Sequence, residues 1–181
     1  MRHILRIVVM FMFALTGLVY AQCPSDNFIY PVNGTVSSNI GPRNGRMHNG
    51  LDIAAPQGSQ VVAAGGGTVQ VLSDPNGWGD YIIITHSNGV QTLYAHMSQV
   101  NVSNGQQVSQ GTPIGLSGGL PGSPGAGNSR GEHLHFEMGT PNNPLRVGGN
   151  YWDQAAGATG SISRGSCMQM AAGPGGAVAG D

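Results

Sequence analysis

The sequence contains no lysine. Its basic residues are seven arginines, and the formal net charge is −1. Without a basic patch the chain lacks the electrostatic footprint of a nucleic-acid binder. Helix-favouring runs are scarce, while glycine is plentiful at 31 residues, which points to turns, short strands and loops. Extended apolar runs are missing apart from Ile7 to Val19. That stretch is short for a bilayer span, which needs roughly 20 residues. No internal repeat is visible, and the length fits one domain.

The apolar run lies in a segment, Met1 to Ala21, that reads as a secretory signal. Arg2 and Arg6 supply the charged start, and Val19-Tyr20-Ala21 is a small-residue cleavage site before Gln22. An uncleaved anchor and a lipid on Cys23 are the alternatives. The short run disfavours the first, and Gln22, where such processing wants a small residue, disfavours the second. An exported location, periplasmic or extracellular, follows. Cysteine is limited to Cys23 and Cys167. In an exported chain that pair suggests a disulfide tying the ends of the domain; free thiols or bonds to another chain are the alternative.

Along the chain the patterns are those of short strands. Gln22 to Val32 is a short lead, and Thr35 to Gly41 a strand and turn. Asn44-Gly45 signals a turn, and Asn49-Gly50 with Pro56 argues for a turn into a short strand rather than a helix. Gln60 to Ala64 and Thr68 to Leu72 are β-rich runs separated by three glycines. Tyr81 to His86 and Val90 to His96 form the clearest hairpin, joined by Ser87-Asn88-Gly89. In its second strand Val90, Thr92, Tyr94 and His96 share one face. Pro113 to Ser117 is another strand. Gly118 to Gly131, almost all Gly, Pro, Ser and Asn, reads as a mobile loop that could form a rim or lid. Beyond Pro144 the pattern fades, and Ala171 to Asp181 has a disordered composition.

The chemistry-bearing stretch is Glu132-His133-Leu134-His135-Phe136-Glu137-Met138. At strand period His133, His135 and Glu137 face one way, and Leu134, Phe136 and Met138 face the core. Two imidazoles on one strand face can hold a metal together, or one can hold it while the other moves a proton; an ordinary polar strand face is the rival reading. His48 and Asp52, four apart across a turn, offer a second imidazole–carboxylate pair, and His96 a third segment. Catalytic zinc is held by about three N or O side chains with one position left open. Glu137 is balanced between orienting a ligand imidazole and lying exposed. His86 reads as structural rather than as a ligand. Tyr94 reads as packing more than substrate contact, and Arg43 as support for its loop or a site for a substrate carboxylate.

The ordered set resembles the lysostaphin/LytM-type zinc metallopeptidases of the cell wall. The resemblance rests on Gly41-Pro42-Arg43, His48 to Asp52, Tyr94-Ala95-His96-Met97 and His133 to Glu137, and runs from about Val36 to Met138. It implies an all-β fold, a mostly antiparallel sheet with an open groove, of the duplicated hybrid motif type. The peptidase domain would occupy residues 35–142, after a signal at 1–21 and a lead at 22–34, with a C-terminal tail at 143–181. It implies one zinc ion per chain bound by His48, Asp52 and His135, with His96 and His133 acting on water and the transition state, their two jobs undivided. The implied substrate is the peptide of peptidoglycan, and the implied activity is endopeptidase hydrolysis of stems or cross-links. Two departures stand out. Gly118–Gly131 is longer than the family's connection before the His-x-His pair, and the step from Gly41 to His48 is short.

Two other readings compete with the enzyme. One is a catalytically silent wall-binding or regulatory module; such relatives lose site residues, whereas all five are kept here. The other is a part of an envelope assembly that docks a partner protein through residues 143–181.

Overall fold

The structure, a computed structural model, describes residues 28–43, 45–139 and 160–168. The stretch read as a signal, Cys23, the stretch 140–159 and the end of the tail lie outside the described residues. Thirteen strands and no helix make up what is described. The all-β expectation therefore holds, and no helix among the described residues is long and apolar enough to cross a membrane.

The strands are β1 (Gly34–Ser38), β2 (Gly41–Arg43), β3 (Arg46–His48), β4 (Leu51–Ala54), β5 (Gln60–Val62), β6 (Gly67–Asp74) and β7 (Gly79–His86). They continue with β8 (Gln91–Ala95), β9 (Met97–Val100), β10 (Gln107–Val108), β11 (Pro113–Ser117), β12 (Leu134–Gly139) and β13 (Ser161–Ile162). Eight form one sheet in the order β10-β6-β7-β8-β12-β4-β1-β13, antiparallel throughout. β5, β11 and β9 form a smaller sheet, and β2 and β3 a separate hairpin. The β7–β8 hairpin is where the sequence placed it. β5 and β6 do not pair across their glycines; β5 takes β11 as its partner.

The core explains the register. Leu51 and Ile53 of β4, Ile82 and Ile84 of β7, and Leu134 and Phe136 of β12 are fully buried and belong to one cluster. Each such side chain contributes about 1.5–3 kcal/mol through burial. A one-residue slip of β12 would exchange these for the imidazoles, so the apolar face locks the alignment. In that alignment His135 stands opposite Asp52 of β4 on one side and Ala95 of β8 on the other. The polar face of β12 is also withdrawn from solvent, with His135 and Glu137 both buried.

One expectation needs correction. The loop 118–131 is not loose: Asp80 N donates to Gly125 O, Asn128 N to Gly77 O, and His133 N to Gly118 O. Its glycines let backbone lie on backbone there, which side chains would forbid. Within the tail, residues 160–168 return to the domain. β13 extends the sheet edge beside β1, and Cys167 bridges to Ile29.

Candidate metal centre

Three elements deliver the centre. β3 ends at His48; Asn49-Gly50 reverses the chain, and β4 then brings in Asp52. Gly50 is needed because a Cβ there would stand 2.5 Å from His135 Cε1 and 2.8 Å from Phe136 O. β12 supplies His135. His48 Nε2 lies 3.0 Å from Asp52 Oδ1 and 3.2 Å from His135 Nδ1, and His135 Nδ1 lies 2.8 Å from Asp52 Oδ1. All three residues are buried and form the one such ligand group among the described residues.

The hydrogen bonds on the outer side of each ring decide what points inward. His48 Nδ1 donates to the carbonyl of Asn39 at 2.8 Å, so its Nε2 presents a lone pair to the centre. His135 Nε2 donates to Glu137 Oε1 at 2.7 Å, leaving Nδ1 to face Asp52. Two lone pairs and a carboxylate oxygen thus converge, an arrangement that repels itself unless a cation sits among them. Donors about 2 Å from a tetrahedral metal stand about 3.3 Å from one another, close to the spacings here.

The titration behaviour reflects the same demand. Asp52 is held far below the carboxylate range: burial opposes this, but the attraction of the adjoining His135 and His48 rings prevails. His135 is raised to about 9; burial works against its charge, and the bonds to Asp52 and Glu137 outweigh it. Without a metal, a proton on His135 is the cation that the two carboxylates hold. Arg43 adds its Nη1 at 3.3 Å from Asp52 Oδ2 and 3.2 Å from Ser38 Oγ, while remaining half exposed.

His96 and His133 stand beside this group. Their ring centroids are 4.8 Å apart; the His96 ring is 6.0 Å from that of His135, and His133 Nε2 is 3.6 Å from Asp52 Oδ1. His96 gets there by leaving the strand path. Simple alternation would put it on the face of Tyr94, whose ring packs against Phe136 at 5.3 Å in the core. Its φ of 59° turns it to the other side. It is the one non-glycine residue with positive φ among those described, a conformation that costs about 1–3 kcal/mol and clusters at functional sites. The face shared by Val90, Thr92, Tyr94 and His96 is therefore corrected. Burial, then the neighbouring His133 and His135, pull His96 down to about 4.

The remaining candidates separate cleanly. Glu137 is buried and oriented on His135, not exposed. Tyr94 accepts from Ala64 N at 2.8 Å and contacts Thr92 Oγ1 at 2.9 Å deep in the core, so it packs. His86 donates to Gly66 O and meets Thr92 Oγ1, away from the centre. Sequence reading did not identify the carbonyls of Asn39, Ala126 and Gly131, which fix the rings; every residue carries a carbonyl, so residue type gives no signal.

The chain is similar to known proteins of one family. Residues 46–147 match the family described as Peptidase family M23. The chain is 41% identical over 105 residues to a DD-carboxypeptidase/endopeptidase, Mpg, of Neisseria meningitidis, covering 56% of this chain and 23% of that protein. It is 37% identical over 132 residues to the peptidoglycan DD-endopeptidase ShyA of Vibrio cholerae, covering 65% of this chain and 29% of that protein. The chain thus spans less than a third of the length of either relative. A solved zinc-containing peptidase from Vibrio cholerae superposes with a TM-score of 0.58 at 32% identity, over 68% of this chain and 41% of that one.

Proposed function

The chain belongs to peptidase family M23, and on that premise we propose that it is a zinc-dependent endopeptidase hydrolysing peptide stems or cross-links of peptidoglycan in the cell envelope. The observation that carries the reading is the convergence of His48 Nε2, Asp52 Oδ1 and His135 Nδ1 within 2.8–3.2 Å, with the outer side of each imidazole tied to an acceptor. Two imidazoles and a carboxylate are a donor set suited to zinc with one position open. In this reading those three atoms hold the ion. Bound there, zinc supplies Lewis acidity and lowers the pKa of a water to about 7.

The chain's own groups do the rest. Glu137 and the Asn39 carbonyl hold the ligand rings in orientation. His96 Nδ1 donates to Ala126 O at 2.9 Å and His133 Nδ1 to Gly131 O at 2.8 Å, so each ring can accept a proton at Nε2. One takes the proton of the attacking water as general base. The protonated ring then hydrogen-bonds the oxyanion from Nε2 and passes that proton to the departing amine as the C–N bond breaks. Arg43, half exposed beside Asp52, is placed to meet a substrate carboxylate at the mouth of the site.

An exported location, periplasmic or extracellular, and a Cys23–Cys167 disulfide belong to the same reading and rest on the signal pattern at Met1 to Ala21. An envelope partner docking through residues 143–181 is its last part, tested by co-purification with and without those residues. The central test digests purified peptidoglycan with residues 22–181, with and without a zinc chelator, and reads the fragments by mass spectrometry. Chelator-sensitive release of peptides is expected. No cleavage across several wall types, with zinc verified as bound, would leave a silent binding module as the better account.

A further inference from the structure

The loop 118–131 touches both histidines that stand beside the metal group, and it touches them at the same atom. His96 Nδ1 meets Ala126 O, and His133 Nδ1 meets Gly131 O. A carbonyl only accepts, so both Nδ1 atoms carry hydrogen and both Nε2 atoms are bare in the neutral ring. Ser129 reinforces the second contact: its hydroxyl donates to Gly131 O at 2.8 Å and lies 3.3 Å from His133 Nδ1.

Backbone hydrogen bonds hold the Ala126 carbonyl in place, Ser129 N donating to it directly at 3.1 Å. Trp78 O accepts from His96 N, Gly77 O from Asn128 N, and Gly125 O from Asp80 N. The 77–80 turn therefore grips His96 and the loop together. The grip is possible because side chains are missing from it. A Cβ on Gly127 would fall on Gly77 O and Gly79 N, and one on Gly79 would fall on Gly125 O. Gly127 and Gly79 also have φ of 57° and 68°, which L residues rarely adopt.

We propose that loop 118–131 is a positioning element that sets the tautomer of both His96 and His133, and that Gly127, packed on the 77–80 turn, is its key positioning residue. The loop is then no lid: its role is to turn two bare Nε2 atoms toward the centre before substrate arrives. The inference rests on the peptidase reading for its purpose, but not for its test.

Long-range proton–nitrogen NMR of the zinc-loaded protein at neutral pH reads each neutral ring's tautomer directly. The wild type is expected to show His96 and His133 both protonated on Nδ1, whereas free imidazole side chains favour hydrogen on Nε2. In Gly127→Ala, His96 should move toward the Nε2–H form while His133, held from the other end of the loop, stays unchanged. Zinc content should persist, and kcat on a peptidoglycan fragment should fall at least 10-fold with KM within about 3-fold. Gly105→Ala is the control: Gly105 has φ of 79° and open space around its Cβ but lies outside the loop, and the variant should leave both tautomers and kcat as they are. Nε2–H on either ring in the wild type overturns the proposal, and so does an unchanged His96 in a folded Gly127→Ala. If that variant does not fold, the wild-type spectrum alone decides. A wild type that cleaves nothing yet shows both Nδ1–H rings would remove the peptidase reading and leave the positioning arrangement intact.

Discussion

Replacing Glu137 by Gln separates metal holding from folding. Glu137 is 1% exposed; its Oε1 accepts from His135 Nε2 at 2.7 Å, and its Oε2 is buried with no hydrogen-bond partner among the described residues. The Gln side chain has the same shape and can still accept from Nε2–H through its amide oxygen. What disappears is the negative charge against the outer edge of a ligand imidazole, in a place where screening is weak. Outer partners of this kind typically contribute 10–100-fold to metal affinity, equivalent to about 1.4–2.7 kcal/mol. The amide nitrogen would occupy the position of Oε2 without an acceptor, a separate folding cost of about 1–3 kcal/mol. Two assays keep these apart. Competition with a chromogenic chelator gives the zinc Kd, and urea unfolding of the chelated protein gives stability. A Kd raised 10–100-fold is expected, whatever happens to the urea midpoint. A Kd within 2-fold of wild type would refute the idea that this carboxylate sets the basicity of His135.

Other substitutions test the neighbouring contacts. His135→Ala should lose both zinc, by elemental analysis, and peptidoglycan cleavage; full activity would remove it from the ligand set. Gly50→Ala should cost about 1–3 kcal/mol in urea unfolding, since its Cβ would press on the His135 ring and the Phe136 carbonyl; an unchanged midpoint would show that the turn yields freely. Acid should weaken the fold through His86. Burial holds its pKa below the ordinary 6.5, so the unfolded chain binds the extra proton first and stability falls as pH drops below about 6.5. The bonds agree: His86 Nδ1 donates to Gly66 O and Ala64 N donates to Tyr94 OH, so the hydroxyls of Tyr94 and Thr92 must run toward a bare His86 Nε2. Urea midpoints across pH 5–8 should fall more steeply on acidification for wild type than for His86→Gln; parallel curves would refute it.

How much of this was legible in the sequence follows from what a side-chain pattern can encode. Alternation in β12 placed Leu134, Phe136 and Met138 in the core and His133, His135 and Glu137 opposite them, because strand period fixes faces. It does not say whether the opposite face meets water, so the sequence leaves Glu137 balanced between orienting an imidazole and lying exposed. Turn chemistry at Asn49-Gly50 foretold that His48 and Asp52 meet across a reversal rather than along a helix. Residue type marks His96, but alternation gives it the wrong face, because a φ of 59° in a non-glycine residue has no sequence signature. The loop 118–131 departs from its composition for a related reason. A run of Gly, Pro, Ser and Asn has the composition of a mobile segment, and the same residues are what backbone-on-backbone packing requires. Gly79, Gly125 and Gly127 bring no side-chain contacts of their own, yet their missing Cβ atoms let the Ala126 carbonyl reach His96. The donors that gather a metal can thus be read from residue types. The acceptors that aim those donors here are largely main-chain carbonyls, and only the fold distinguishes one carbonyl from another.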